Sequence, residues 1–384
     1  SGSKSLRELE PMPPFPFQED HEMIREAVKG WLSDWEDGGK TLHRVAKEGQ
    51  GFDRAAWEGF ARDQGMAGIS IPEQYGGADM GLLGRTVIME ETGYTLFSAP
   101  FFSTCVLAAD MIEAFASEDD KTDLLGKIAS GDIIISVLDG REKLSLKDNK
   151  LSGTLSPATD AAHADLILVA AKDENNDIVL TGYSPNTAGL SVTPYASLDP
   201  TRSQAKVSFE NVALSDGQAI GKAEDVAFSQ TLQIAHGSLA AECVGGGQRC
   251  LDMTLDYTNQ RVQFGRQIGS FQSVKHKCAD MFIALESARS ASYFAASPDL
   301  DADRSAKFEA ALIAKNYASE AFFKIAGDAI QMHGGIGFTW EYPLHYFFKR
   351  ARGNRALFTS SEDGFQMLAD QIGLKSHASS ISGE

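Results

Sequence analysis

The sequence predicts an α+β protein of three domains: a helical domain, a small antiparallel β domain and a second helical domain. Three observations predict this fold class. Apolar residues recur at helical spacing before residue 130, short β-branched runs follow Gly131, and helical periodicity returns at Asp225. Because helices and strands are segregated along the chain, they favour α+β layering over a doubly wound sheet. We expect domains at residues 1–130, 131–218 and 219–384.

The first domain begins with a Pro-rich stretch, residues 1–16, that we expect to be extended. An amphipathic stripe predicts a first helix from Glu19, and Asp53 is a candidate N-cap for a second. A loop dense in turn formers follows at Pro72–Asp79. Further helices are predicted near Gly81–Gly93, Phe101–Phe115 and Asp119–Ser130.

The other two domains differ in texture. The second contains short runs separated by Gly, Pro, Asn and Asp, as is typical of antiparallel strands: Ile133–Leu138, Leu166–Ala170, Ile178–Thr181, Leu190–Thr193 and Ala205–Phe209. In the third, residues 225–258 predict one long helix. Shorter helices are predicted at 270–296, 301–329, 341–352 and Asp363–Ile372.

Composition excludes several classes of protein. Of 384 residues, 43% are hydrophobic and 23% charged, which is ordinary for a globular chain and excludes general disorder. The chain has 35 Lys and Arg against 53 Asp and Glu, a net charge of −18. Nucleic acid and anionic membranes need a positive field, so neither is an expected partner. No apolar window of about 18 residues predicts a membrane span.

The four cysteines are Cys105, Cys243, Cys250 and Cys278. None has CxxC or zinc-binding spacing, and all lie in apolar, helix-like sequence, so we expect free thiols and no metal site. The first residues contain no apolar secretory segment. A reducing, cytoplasmic location is therefore expected.

The most informative segment runs from Arg261 to Gln272, RVQFGRQIGSFQ. It predicts a helix end, a Gly-bearing turn and the start of another helix. Two arginines and several glutamines crowd this turn, and their fixed charge and amide donors suit a phosphate or pyrophosphate. A plain helical hairpin with surface ion pairs is the alternative.

A second segment, Gln331–Thr339, reads QMHGGIGFT. Its three glycines permit close approach of the backbone to a ligand. The segment follows a helix and not a strand, so it is not the GxGxxG nucleotide fingerprint. Taken alone, it is equally typical of a helix–helix turn.

Together the two segments resemble the acyl-CoA dehydrogenase family, which carries RxQFG…FQxxxHxxADM and QxxGGxGxTxExP motifs at about this separation. The loop at Pro72–Gly77 also resembles a family element. The resemblance covers nearly the whole chain. It implies an N-terminal helical domain, a central antiparallel β domain and a C-terminal four-helix bundle. It also implies noncovalent FAD, shared between two subunits, and α,β-dehydrogenation of an acyl-CoA thioester.

The resemblance assigns residues to the cofactor by position. Thr159 matches the threonine that hydrogen-bonds the flavin ring, although Pro157 replaces the usual aromatic residue. The other expected cofactor-binding residues are Arg261, Gln263, Phe264, Phe271, Gln272, Gln331, His333, Gly334 and Gly335.

The catalytic base is less direct to assign. Many members place a carboxylate at the position of Phe358, and others at that of Ala235; neither is acidic here. Glu242 lies two helical turns beyond Ala235, on nearly the same face and in small apolar sequence. Members resembling bacterial steroid and bile-acid side-chain dehydrogenases have a Glu there, so we expect Glu242 to be the base. The alternative is a structural pair with Arg249.

The sequence departs from the family pattern at one stretch of the β domain. The family's TEPxxGSD stretch is absent, and Ile135–Arg141 stands in its place. The resemblance implies a homo- or heterotetramer, a bulky acyl-CoA substrate and an electron-transfer flavoprotein as acceptor. A non-catalytic partner subunit that completes a shared FAD site is the alternative function. A flavin oxidase on the same scaffold is a third.

Overall fold

The computed structural model describes residues 17–48, 51–339 and 342–374. The stretch predicted to be extended, residues 1–16, lies outside this part of the chain. The helices of the first domain are α1 (Glu19–Glu36), α2 (Lys40–Glu48), α3 (Arg54–Glu58), α4 (Gly81–Thr95), α5 (Ala109–Phe115) and α6 (Glu118–Ala129). A π-helical segment, Phe101–Ala108, leads into α5. As predicted, Asp53 caps α3, accepting a hydrogen bond from the backbone N–H of Ala56.

The middle domain has eight strands: β1 (Ile135–Asp139), β2 (Leu144–Lys147), β3 (Lys150–Thr159), β4 (Leu166–Lys172), β5 (Ile178–Tyr183), β6 (Leu190–Pro194), β7 (Gln204–Ala213) and β8 (Gln218–Ala223). They form two four-stranded sheets, in the orders β1-β4-β5-β8 and β2-β3-β7-β6. All pairs are antiparallel except β1 with β4. β8 pairs with β5, so this sheet continues to Ala223, five residues beyond the end predicted for the middle domain at residue 218.

The last domain contains α7 (Asp225–Gly237), α8 (Leu239–Gln260), α9 (Gln272–Ala295), α10 (Arg304–His333), α11 (Leu344–Ala356) and α12 (Ser361–Gln371). A two-stranded hairpin, β9 (Val262–Gln263) with β10 (Arg266–Gln267), joins α8 to α9. The single helix predicted for 225–258 is wrong, because the chain divides into two helices at Ser238. A Gly–Ser pair is a frequent kink site, and Gly237 lies close against Ala311 of α10.

The first and last domains pack through backbone contact. A Cβ on Gly245 of α8 would overlap the carbonyl oxygen of Glu90 on α4, and one on Gly93 of α4 would overlap that of Glu242. These glycines bring α4 and α8 close together, so little space remains between the two helices. The α+β class with segregated helical and β domains is confirmed.

Two further expectations concern membrane-spanning helices and cysteines. The described helices include none with both the length and the apolar character that a bilayer crossing requires. All four cysteines are free thiols, and three of them are buried while Cys278 is partly buried. The expectation of free thiols is thereby confirmed.

Candidate functional site

The three domains meet at a buried group of charged side chains that we call the junction cluster: Asp160, Asp199, Arg202, Glu242 and Arg350. Each is less than a tenth exposed to solvent. Most of them line a cavity of about 20 Å³, together with residues of α4 and of the segment leading to α5. A cavity of that size holds a single water molecule. The junction is therefore nearly filled by protein.

Glu242, the predicted base, is tightly paired. One amino group of Arg202 donates to both carboxylate oxygens at 2.6 Å, and Asn354 donates to Oε1 at 2.9 Å. Arg350 lies 3.3 Å from the same oxygen. Burial alone would raise the pKa of Glu242, but the two guanidinium groups outweigh it and hold the pKa below its usual value. The carboxylate is therefore ionised and fully engaged.

Arg249 is not the partner of Glu242. It donates to Glu36 of α1 at 2.5 Å and its guanidinium lies over the ring of Tyr94. Seven residues along a helix is about 10 Å, too far for Glu242 and Arg249 to meet readily. The arginines that do pair come from the loop before β7 and from α11, which sequence spacing does not connect to α8.

Arg350 joins the β domain to α11. Its guanidinium donates to the carboxylate of Asp199 at 2.6 Å and to the carbonyl and hydroxyl oxygens of Thr201 at 2.7 Å. The pKa of Arg350 is raised, because the carboxylates of Asp199 and Glu242 outweigh the effect of burial. The guanidinium of Arg350 therefore lies in the protein interior, between α11 and the β domain.

Thr159 and Asp160 bring the end of β3 to the same cavity. The Thr159 hydroxyl hydrogen-bonds the side-chain amide of Gln204. Asp160 has a left-handed backbone conformation and accepts a hydrogen bond from Ser103 at 2.7 Å. Burial raises the pKa of Asp160. The structure therefore places the expected flavin contact, Thr159, and the expected base, Glu242, around one cavity.

Phe358 occupies the alternative base position as a packed aromatic. Its φ is +67°, and its ring contacts those of Phe102 (4.8 Å between centroids) and His236 (5.2 Å). The next residue, Thr359, accepts a hydrogen bond through its carbonyl from the buried Lys315 and meets His236 Nδ1 at 2.9 Å. Burial lowers the pKa of His236 to about 3. The loop is thus fixed against the junction.

The segment from Arg261 to Gln272, here named the hairpin corner, contrasts with the junction because it is open. Phe264 and Gly265 form the tip with positive φ, and Phe264 is 92% exposed. The side chains of Arg261, Gln263 and Gln272 are exposed, and none has a side-chain hydrogen bond to another described residue. Arg266 lies over the ring of Phe271 at 4.0 Å. The corner presents unused charge and amide donors.

The second open feature is the glycine bend, Gln331–Gly337. Gly334 ends α10 with φ +60° and ψ −139°, a conformation that glycine adopts readily. A Cβ on Gly334 or Gly335 would meet no atom within 4 Å, so the bend has an uncovered face beside the exposed Gln331. His333 differs from these residues, because its side chain is buried and directed inward.

An acidic pyrophosphate fits this donor set. Guanidinium and amide donors without protein partners, together with a backbone that a ligand approaches unobstructed, are the groups that bind phosphate and nucleotide. The junction cluster has the opposite property, since its donors are already satisfied.

Comparison with known proteins identifies the class. Residues 18–132 match the acyl-CoA dehydrogenase N-terminal domain and residues 226–372 match the C-terminal domain. The chain belongs to the acyl-CoA dehydrogenase family, which confirms the resemblance and the enzyme class that its motifs predicted.

Individual relatives narrow the comparison. The chain is 30% identical over 355 residues to acyl-CoA dehydrogenase IpdE2 of Mycobacterium tuberculosis, covering 92% of this chain and 98% of that protein. Among solved structures, a variant of the Tcur3481–Tcur3483 steroid acyl-CoA dehydrogenase superposes with a TM-score of 0.82 and 25% identity over 92% of this chain and 98% of that one. The ChsE4–ChsE5 complex of Mycobacterium tuberculosis gives a TM-score of 0.83 at 23% identity, covering 95% and 100%.

Sequence reasoning missed the arginines and aspartates that join Glu242. Asp199 and Arg202 lie in the run Asp199–Ser203, which looks like an ordinary turn between strands. Nothing in its spacing points toward α8 or α11. A lone buried Glu did signal that a cation must be near, but only the fold identifies which one.

Proposed function

We propose that the chain is one subunit of an FAD-dependent acyl-CoA dehydrogenase for a bulky, steroid-like acyl group. In this enzyme it completes a shared FAD site, while an unlike partner chain supplies the acyl pocket and the base. The observation that carries the proposal is the filled junction between the three domains.

Three features support a closed acyl site in this subunit. The junction cavity of about 20 Å³ is far below the several hundred cubic ångströms of a typical ligand pocket. Glu242 is engaged by Arg202 and Asn354, and removing a proton from a substrate requires a carboxylate that can reach it. Phe358 packs against Phe102 at the position where the family resemblance implies a carboxylate in many members.

The shared cofactor site rests on the hairpin corner and the glycine bend. When bound, FAD supplies the hydride acceptor of the reaction. By resemblance to the family, Arg261 and Gln272 of one subunit would hold the phosphate and adenine end of FAD. The residues at the positions of Gln331, Gly334 and Gly335 in its neighbour would approach the same end. Their exposure on one isolated chain is what a site completed by a second subunit requires.

Relatives support the proposed substrate class and partners. A steroid acyl-CoA dehydrogenase and a two-protein complex, ChsE4–ChsE5, are among the structures with this fold. We infer a bulky acyl-CoA thioester, a tetramer with a second acyl-CoA dehydrogenase-like chain, and an electron-transfer flavoprotein as acceptor.

A second candidate function is catalysis by this chain itself, with Glu242 as base. It is favoured by two observations: Thr159 and Glu242 line the same cavity, and the pKa of Glu242 is held below its usual value. In that case Arg202 and Arg350 would have to release the carboxylate when substrate enters.

The deciding experiment is Glu242→Gln in the assembled enzyme. FAD content is measured by absorbance, and flavin bleaching by a panel of CoA thioesters is followed in a single turnover, per bound FAD. Loss of a general base lowers this rate by about 10²–10⁴-fold. A partner role predicts a rate per bound FAD within about threefold of wild type, because the variant then weakens the buried ion pairs of the junction without removing a base.

Two controls complete the design. Glu174→Gln makes the same Glu-to-Gln exchange at an exposed position between β4 and β5 and is expected to leave the rate unchanged. The chain purified alone is expected to hold less than one FAD per chain. A full complement of FAD in the isolated chain, or loss of bleaching in Glu242→Gln with FAD retained, contradicts the partner role.

A further inference from the structure

His333 joins three segments that sequence separates. It is the last residue of α10 and is 3% exposed. Its ring stacks on Tyr257 of α8, with 4.4 Å between centroids and 23° between planes, and packs at 4.8 Å against the ring of Tyr342 beyond the bend. The imidazole therefore lies between two tyrosines from different parts of the chain.

Both ring nitrogens are satisfied. Nδ1 lies 2.7 Å from the carbonyl oxygen of Ala329, and Nε2 lies 3.2 Å from the hydroxyl of Tyr342. A carbonyl only accepts, so Nδ1 donates and Nε2 accepts from the tyrosine. Burial lowers the pKa of His333, although the carbonyls of Ala329 and Met253 oppose it. The ring is thus a neutral crosslink with a defined tautomer.

The crosslink touches both candidate cofactor motifs. The carbonyl of Tyr257 accepts a hydrogen bond from the backbone N–H of Arg261 at 2.9 Å, so Tyr257 forms the last turn before the hairpin corner. On the other side, Gly334 follows His333 directly, and a Cβ on Gly337 would lie 3.2 Å from the Cβ of His333. One side chain is therefore packed against the base of each motif.

We propose that His333 is a positioning residue that holds the hairpin corner and the glycine bend in a fixed mutual orientation. It acts through Tyr257 and Tyr342 and does not contact the cofactor. The link to FAD rests on the proposed function.

The first test uses the full chain without FAD. Backbone amide exchange is measured by mass spectrometry for His333→Ala and for the milder Tyr342→Phe, which removes only the hydroxyl. His333→Ala is expected to raise exchange at residues 334–339 and at 262–267 by about tenfold, and Tyr342→Phe at 334–339 by about fivefold. Unchanged exchange in both segments, with either variant folded, overturns the proposal.

His21→Phe is the matched control. His21 is also buried, packs edge-on against Phe17 and accepts a hydrogen bond from the backbone N–H of Gln18 at 3.1 Å. Phe17 contacts Tyr293, about 30 Å along α9 from the end near the corner. This variant is expected to leave exchange in both motifs at the wild-type rate. An equal rise in the control would show a general loosening and overturn the positioning role.

The second test is FAD affinity of the assembled enzyme, measured by flavin fluorescence. His333→Ala is expected to raise the Kd by about tenfold and Tyr342→Phe by about threefold, while the control variant keeps the wild-type Kd. Wild-type affinity in both variants, alongside raised exchange, overturns the link to FAD. Absence of FAD binding in the wild-type assembly overturns the proposed function, while amide exchange still decides the crosslink.

Discussion

The junction cluster and the hairpin corner use similar side chains in opposite ways. At the junction, Arg202 and Arg350 are buried and spend their donors on Glu242, Asp199 and Thr201. At the corner, Arg261 is exposed and has no side-chain hydrogen bond to another residue in the described ranges. A guanidinium with carboxylate partners holds domains together, whereas one without partners is available to a ligand.

The comparison also shows that a conspicuous sequence pattern can mark either a structural ion pair or an exposed binding surface. Glu242 attracts notice as a lone acid in apolar sequence, but its environment is that of a structural ion pair. The corner and bend attract notice by their glycines and glutamines, and their environment is open. A functional reading therefore depends on whether polar groups are satisfied within the chain, which composition alone does not reveal.

The largest expected effect comes from breaking the junction. Arg350→Met removes a cation that contacts both Asp199 and Glu242 and leaves buried negative charge without full compensation. We expect the free energy of unfolding to fall by about 3–5 kcal/mol, measured by urea denaturation at pH 7. Arg352→Met, two residues away and exposed, is expected to change it by less than about 0.5 kcal/mol. Equal effects of the two variants would contradict a special role for the junction.

A smaller effect is expected from pH. The pKa of His236 is about 3 in the folded protein, against about 6.5 when unfolded, so the unfolded state binds an extra proton between these values. His236 therefore costs stability as pH falls below about 6.5. From pH 7 to pH 5 its share of the loss is about 2 kcal/mol.

His236→Gln isolates that share, because other buried histidines titrate in both proteins. The stability lost between pH 7 and pH 5, from urea denaturation, is expected to be about 2 kcal/mol smaller in the variant. An identical pH dependence in the two proteins would mean that His236 stays solvated and that the loop at Phe358 is less closed than its contacts indicate.

The fold was largely predictable because its signals are local. Helical stripes, the cap at Asp53 and the five predicted strand runs depend on nearest neighbours along the chain, and the structure has helices and strands at these places. The strands β2, β3 and β8 were not among the predicted runs. The break at Ser238 was missed because its cause is Gly237 packing on Ala311, a contact between residues far apart in sequence.

The candidate site was predictable only in part, for the same physical reason. The corner and the bend are continuous segments, so their donors could be read directly from the sequence. The partners of Glu242 come from a β-domain loop and from α11, and the inward orientation of His333 depends on Tyr257. Interactions of this kind are defined only when the domains pack.

The smallest expected effect on stability separates folding from cofactor binding at the bend. A Cβ at Gly335 meets no protein atom within 4 Å, so Gly335→Ala is expected to change the free energy of unfolding by less than about 0.5 kcal/mol. On the proposed function, the same methyl group would occupy the face from which FAD approaches. We expect the Kd for FAD of the assembled enzyme to rise by roughly tenfold, measured by flavin fluorescence.

Gly337→Ala is the contrasting variant, because its Cβ would lie 2.9 Å from the carbonyl oxygen of Ile330 inside the protein. Gly337→Ala is expected to lower the free energy of unfolding by about 1–3 kcal/mol. It is expected to change the Kd for FAD only through a displacement of the bend backbone. If Gly335→Ala binds FAD as tightly as wild type, the uncovered face of the bend is not where the cofactor lies. Of the two exposed motifs, only the hairpin corner would then remain as a candidate FAD-binding surface to contrast with the junction cluster.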